Sequence, residues 1–208
     1  MAAIGRVRTS GVFSLDGSDF EVENNVWLVG VDDELVVVDA AHDAGAILEA
    51  IGPRRVVAIV CTHGHNDHIN AAVDLADATG APVALHPGDR MLWDAVHGGR
   101  APDRALADGD VVEVAGSTLA VVHTPGHSPG GVCLYLDDDR VLFSGDTLFE
   151  GGPGATGRSF SDFETIINSI RDRLLVLPPE TLVHTGHGDS TTIGAEAPHL
   201  DDWIRRGN

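Results

Sequence analysis

The sequence predicts a single α/β domain, a sandwich of two β-rich halves with helices on the outside. Three observations carry this reading. Short alternating or apolar runs recur along the chain, separated by clusters of Gly, Pro and Asp, as strands joined by turns require. Between several of them lie stretches of helical spacing that stop at Gly or Pro. No linker, low-complexity tract or short-period repeat divides the 208 residues, a length at which folding buries roughly 70% of the unfolded chain's surface.

Val26 to Val38 reads as a hairpin around the turn VDDE (Val31 to Glu34), with Asp39 at its end. His42 to Ala50 predicts a short helix closed by Gly52 and Pro53. Val56 to Thr62, rich in β-branched residues, predicts a buried strand that runs directly into the segment THGHNDH. Ala71 to Thr79 continues as a helix ending at Gly80, Pro82 to His86 is a strand and Gly88 to Val96 a short helix. In the second half, Ser117 to His123, Gly131 to Leu136 and Arg140 to Ser144 are strands, the last two joined by DDD. Phe163, Ile166, Ile167, Ile170 and Leu174 share one helical face, preceded by a capping box from Ser161 and Glu164. Thr181 to Thr185 is the final strand.

Composition removes whole classes of function. The net charge of -19 repels phosphate backbones and anionic membranes, so neither nucleic acid nor a membrane is an expected partner. All 13 basic residues are arginine, which excludes lysine Schiff bases and the phosphate-binding loop ending in GK[ST]. Cys61 and Cys133 lie in apolar strands and read as small buried hydrophobes. The N-terminal MAAIGRVRTSGVF lacks the apolar core of a secretory signal, and no apolar run approaches the ~20 residues of a membrane span. A cytoplasmic location is expected.

His63, His65, Asp67 and His68 crowd into six positions on a strand-to-helix loop, where two imidazoles spaced by one residue can aim at a single point and the next two side chains at a second. HTPGH (His123 to His127), SGD (Ser144 to Asp146) and HTGH (His184 to His187) each follow a predicted strand, so all four segments can meet at one edge of the sandwich. GPGATG (Gly152 to Gly157) satisfies G-x-G-x-x-G without passing from strand to helix, so the run from Glu150 to Ser159 reads as a flexible loop near Asp146.

THGHNDH, HTPGHSPGG, FSGDTLF and TGHG occur in an order that resembles the metallo-β-lactamase-fold hydrolases, in particular their glyoxalase II-like branch. The resemblance spans the chain from about Val26 onward. It implies an αββα sandwich over residues 1–208, with no separate C-terminal helical substrate domain. It also implies two divalent metal ions, zinc first, with iron or manganese equally compatible with nitrogen and oxygen donors that include no thiolate. Carried across by position, His63, His65 and His127 would hold one ion, Asp67, His68 and His187 the other, and Asp146 would bridge them. Asp67 and Asp146 would thereby be the catalytic carboxylates. His123 and His184 match positions outside the ligand set and read as supporting or packing residues. Asp39 either orients a ligand histidine or serves as a turn or cap residue. Arg158 is either a contact for the substrate's thiol-carrier portion or a solvated surface arginine.

Two ions about 3.5–4 Å apart generate a hydroxide near neutral pH and polarise a carbonyl, so no Ser-His-Asp triad is needed. The expected function is hydrolysis of an acylated low-molecular-weight thiol. Two alternatives are a persulfide dioxygenase with one iron on His63, His127 and Asp146, and a lactonase or small-ester hydrolase. A small-molecule thioester or ester is the expected partner, and the oligomeric state is open.

Overall fold

A long antiparallel hairpin begins the computed structural model, which describes residues 2–31 and 33–207. Strands β1 (Ala3–Leu15) and β2 (Ser18–Gly30) pair over their whole lengths. They turn at Asp16 and Gly17, where both φ angles are positive (53° and 73°), as a two-residue type I′ loop requires. β1 has no counterpart among the sequence expectations, because most of its residues are exposed or half-buried and Arg6 and Arg8 interrupt the apolar pattern. The expected hairpin survives as the end of β2 with β3 (Glu34–Val38), Trp27 standing opposite Val38. Asp32 of its turn lies outside the described residues.

Helix α1 (Ala44–Ile51) starts two residues later than expected, because Asp43 rather than His42 is its cap and accepts a hydrogen bond from the Ala46 N–H at 3.0 Å. β4 (Arg55–Val60) runs parallel to β3 and delivers the histidine loop. A single turn, α2 (Asn66–Ile69), and α3 (Ala72–Thr79) follow, the latter ended by Gly80 in the left-handed region at φ 71°. β5 (Val83–Leu85), a 3₁₀ turn at Pro87–Asp89, α4 (Arg90–His97) and β6 (Arg104–Ala105) complete a sheet of order β1-β2-β3-β4-β5-β6.

The second sheet has the order β14-β13-β10-β9-β8-β7. Its members are β7 (Val111–Val114), β8 (Ser117–His123), β9 (Val132–Leu136), β10 (Val141–Gly145), β13 (Leu182–Thr185) and β14 (Thr191–Thr192). A minor pair, β11 (Leu148–Phe149) with β12 (Gly152–Pro153), leaves β10. Helix α5 (Phe163–Ser169) runs into a wider π turn over Ile170–Leu174, and α6 (Ile193–Glu196) and α7 (Leu200–Arg206) end the chain's helices. The expected capping box is absent: Asp162 is the N-cap and accepts from Thr165 N–H at 2.7 Å, while the Ser161 hydroxyl donates to the Arg158 carbonyl.

Three buried layers show the αββα arrangement. Val26, Leu28, Val37 and Ile59 face outward under Ile47 and Leu75 of α1 and α3. The alternate residues Trp27, Val29, Val36 and Val60 face inward and meet Leu119, Leu134 and Phe143 of the second sheet. Leu142 and Cys133 on the far side of that sheet pack under Ile166, Ile170, Leu174 and Trp203. Both faces of each central strand are therefore buried, which is why these strands read as continuous apolar runs. Cys61 and Cys133 are free and buried within these layers, as expected. β3 and β4 are parallel, as are β10 and β13, so their C-terminal ends collect at one edge. There the sheets are tied by Val132 N–H to Thr62 O at 2.8 Å and Asn25 N–H to Gly186 O at 2.7 Å. Among the described residues no helix is long and apolar enough to cross a membrane.

Candidate metal centre

Seven of the sequence-selected side chains meet at that edge, on loops that leave β4, β8, β10 and β13. Their donor atoms form three overlapping groups: His63, His65 and His127; His63, His68 and Asp146; and Asp67, His68 and His187. In the first, His65 Nδ1 lies 3.0 Å from both His63 Nε2 and His127 Nε2. In the last, His187 Nε2 lies 3.2 Å from His68 Nε2 and 3.2 Å from Asp67 Oδ2. Asp146 reaches both, with carboxylate oxygens 3.6 Å from His127 Nε2 and 3.4 Å from each of His68 Nε2 and His187 Nε2.

The outer nitrogens explain why the inner ones point inward. His68 Nδ1–H donates to Asp39 Oδ2 at 3.0 Å, His127 Nδ1–H to the Ala155 carbonyl at 2.9 Å, and His187 Nδ1–H to the Glu23 carbonyl at 2.8 Å. The Thr62 hydroxyl spends its one hydrogen on Asp39 Oδ2 at 2.7 Å, so it accepts from His63 Nδ1–H at 3.1 Å. Each of these four rings is thereby oriented with Nε2 toward the centre. Asp39 is the hub: buried, at φ 58°, it also accepts the Thr62 N–H at 2.7 Å. Its contact with His68 Nδ1 is the one the orienting alternative requires.

Imidazole nitrogens 3.0 Å apart on their lone-pair sides, with Asp67 Oδ1 and Asp146 Oδ1 buried and unpartnered, form a set that a divalent cation would satisfy. The close approach is built in: a Cβ on Gly186 would run into Asp146 Oδ1 and the His68 ring, and one on Gly154 into the Asp146 backbone. Electrostatics divide the cluster in two. Burial depresses His63 far below the ordinary histidine value and brings His65 to about 3, so these two are neutral donors. Burial also opposes charge on His68 and His187, but Asp146 and Asp67 outweigh it, raising His68 well above its ordinary value and His187 to about 10. Against the same burial cost, His68 and His187 hold Asp67 at about 2 and Asp146 well below the usual carboxylate range. His63 and His65 thus offer neutral nitrogen, while Asp67 and Asp146 make the other side a carboxylate-rich pocket for a cation.

A profile of the Metallo-beta-lactamase superfamily matches residues 20–187. The chain belongs to this superfamily. It is 31% identical over 190 residues to the hydroxyacylglutathione hydrolase GloC of Haemophilus influenzae, covering 84% of this chain and 90% of that protein. The crystal structure of BLEG-1, a B3 metallo-beta-lactamase, superposes with a TM-score of 0.80 at 31% identity, covering 94% of this chain and 99% of that one. The crystal structure of TTHA1623 in a di-iron-bound form gives 0.76 at 35% identity over 85% and 93% of the two chains. Members of the superfamily are mostly metal-dependent hydrolases that bind divalent ions through His/Asp clusters, and the present cluster is of that kind. The chain is accordingly a metal-dependent hydrolase of the metallo-beta-lactamase fold.

The remaining candidates lie outside the cluster. His123 stacks on His86, centroids 4.1 Å apart, and bonds to the Pro129 carbonyl at 3.0 Å. His184 stacks on Trp27 at 4.1 Å, with Nδ1 2.8 Å from Ser190 Oγ. Arg158 is exposed and its guanidinium lies 4.6 Å from the Phe20 ring centroid. Gly126 to Gly130 spells G-x-S-x-G; it is no nucleophile elbow, because Ser128 is fully buried, donates to Asp89 Oδ2 at 2.7 Å and is followed by no helix. Asp89 also accepts Gly64 N–H at 2.8 Å and Gly130 N–H at 2.5 Å, tying the two histidine loops together. Asn24, bonded to Asp67, and His42, bonded to Asn24, are further residues that the sequence does not mark. Asp89 and Asn24 are buried polar residues whose partners are distant in sequence, so no local pattern marks them.

Proposed function

We infer that this chain is a binuclear thioesterase of the glyoxalase II type, which adds water to the carbonyl of an acylated small thiol and breaks its C–S bond to give a carboxylate and a free thiol. The observation that carries the reading is the sharing of Asp146 between two donor groups, one of three histidines and one of Asp67, His68 and His187. In this reading His63, His65 and His127 would hold one ion, Asp67, His68 and His187 the second, and Asp146 would serve both. Zinc fits this nitrogen and oxygen set, as iron or manganese would. When bound, two such ions supply a water acidic enough to attack at neutral pH and an electrophile for the carbonyl oxygen.

The chain's own part is orientation and charge. Asp67 and Asp146, held in the ionised form by His68 and His187, would supply the negative charge that keeps divalent ions at the reacting centre. Phe13, 5.1 Å from the His65 ring and 6.2 Å from Phe20, continues from the cluster to Arg158 as an aromatic wall. That wall leads from the reacting carbonyl to a cation suited to a carboxylate on the thiol carrier. The likeness to a hydroxyacylglutathione hydrolase along most of both chains fits a thioester, and the equal identity to a B3 metallo-beta-lactamase makes a β-lactam the comparison to run. The test is a comparison of kcat/KM on an acyl-glutathione thioester, a lactone and a cephalosporin with the zinc-loaded enzyme. The reading expects the thioester to lead by at least two powers of ten, and is withdrawn if either ring substrate matches it.

A further inference from the structure

A chain of hydrogen bonds leads from the turn after β3 to the Asp67 carboxylate through two residues that hold no ion in the reading above. Its direction is set by the backbone. The main-chain N–H of His42 donates to Asn70 Oδ1 at 2.6 Å, so Asn70 turns its Nδ2 toward His42 Nδ1, 3.0 Å away. His42 Nδ1 must then accept, its ring proton sits on Nε2, and Nε2–H donates to Asn24 Oδ1 at 2.8 Å. Asn24 is left with Nδ2 toward the cluster, 3.0 Å from Asp67 Oδ2, 3.3 Å from His68 Nε2 and 3.4 Å from His187 Nε2. Flipping Asn24 would set its amide hydrogens against His42 Nε2–H, so the orientation is determined link by link.

The arrangement is costly to build, which argues that it is used. His42 sits at φ 58°, a conformation strained for a non-glycine residue, and a Cβ on Gly11 would occupy the space its ring fills. Asn24 is fully buried. Burial also holds His42 below its ordinary value, favouring the neutral ring that the chain of bonds needs.

We propose that His42 and Asn24 are positioning residues for the second ion: they hold an amide N–H, and not a carbonyl oxygen, against Asp67 Oδ2, locking the carboxylate that faces His68 and His187. This rests on the assignment of Asp67, His68 and His187 to that ion. Partners of this kind behind a ligand change ion affinity by about 10 to 100-fold.

The experiment is calorimetric titration of the metal-free full chain with Zn²⁺, followed by thermal melting with and without chelator. Asn24→Ala and His42→Ala should each weaken the second binding event roughly 10 to 100-fold and leave the first within about twofold. Because the residues act in series, the double variant should be no worse than Asn24→Ala alone. His42→Gln, which can present an amide N–H where Nε2–H stood, should restore most of the affinity. The proposal is overturned if neither event changes, if both weaken together, or if the two single losses add. It is also overturned if melting in chelator falls in step with the affinity, since a purely structural role would do that. A wild-type chain that takes up a single ion overturns the two-ion reading and this proposal together, whereas two ions in the wild type with unaffected variants overturn the proposal alone.

Discussion

Replacing Asp146 by Asn keeps the shape of the side chain while removing the charge that both donor groups share. In the intact chain one carboxylate lies within 3.4 Å of His68 and His187 and 3.6 Å of His127, almost out of reach of solvent. Losing the hydrogen-bonded partner behind a ligand costs about 10 to 100-fold in ion affinity, and losing the charge of a ligand shared by both groups should cost at least that. Asp146→Asn should therefore lose the second ion on dialysis, with hydrolysis falling at least as far. A separate readout exists in the metal-free protein. His187 is held near 10 against its burial chiefly by Asp146, so its titration, followed by NMR, should move well down in the variant. Elemental analysis and steady-state kinetics complete the assay. An Asp146→Asn protein that keeps two ions and near-normal turnover would refute the bridge.

Four further outcomes follow. Gly186→Ala forces a methyl into Asp146 Oδ1 and the His68 ring, so ion content and activity should fall together even though no ligand has changed; elemental analysis decides. His123→Ala and His184→Gln should keep both ions and lose at most about 10 to 100-fold in activity, while complete ion loss in either would place that histidine among the ligands. His184 also governs acid stability. Burial lowers it to about 4, so between 6.5 and 4 the unfolded chain takes a proton that the folded one excludes; its contribution is complete above 6.5 and disappears as pH falls through that window. After discounting for solvent at its edge this is worth about 1–2 kcal/mol, and His184→Gln should flatten that part of the denaturation profile. Arg158→Ala should raise KM roughly 10-fold for an anionic thiol carrier while sparing kcat and sparing an uncharged ester, and equal losses on both would assign the arginine to the loop's structure instead.

The parts of the molecule that sequence makes legible are those where the chemistry is local. THGHNDH places its side chains by spacing alone, and the buried strands at Val56 to Val60 and Val132 to Leu136 show as apolar runs because both their faces are covered. The hairpin arm was overlooked for the opposite reason. Much of β1 is exposed, and its one sharp signal, Asp16–Gly17, is a two-residue turn motif that stands outside the apolar pattern. The cap of α5 was misassigned by one residue because Ser161, Asp162 and Glu164 all suit a helix start, and only the direction of the Asp162 carboxylate separates them.

The supporting groups of the site form a third category. Asp39, Asn24 and Asp89 each act on a loop that lies 25 or more residues away in at least one of their bonds, and none belongs to a periodic pattern. Asp39 was reached only through resemblance, while Asn24 and Asp89 were not reached at all. Their burial is nonetheless what makes the ligands effective. A histidine that can rotate, or carry its proton on either nitrogen, offers a lone pair to the centre only part of the time, and each fixed tautomer removes that loss before an ion arrives. The four rings whose outer nitrogens are bound to Thr62, Asp39, Ala155 and Glu23 have already met the rotational part of this cost in folding. His65 has not: its Nε2 is buried without a partner, and the ring rests against Phe13 instead. The arm that carries Phe13 and Phe20 therefore meets the cluster in two ways, by packing on His65 and by the Glu23 carbonyl that accepts from His187 Nδ1–H.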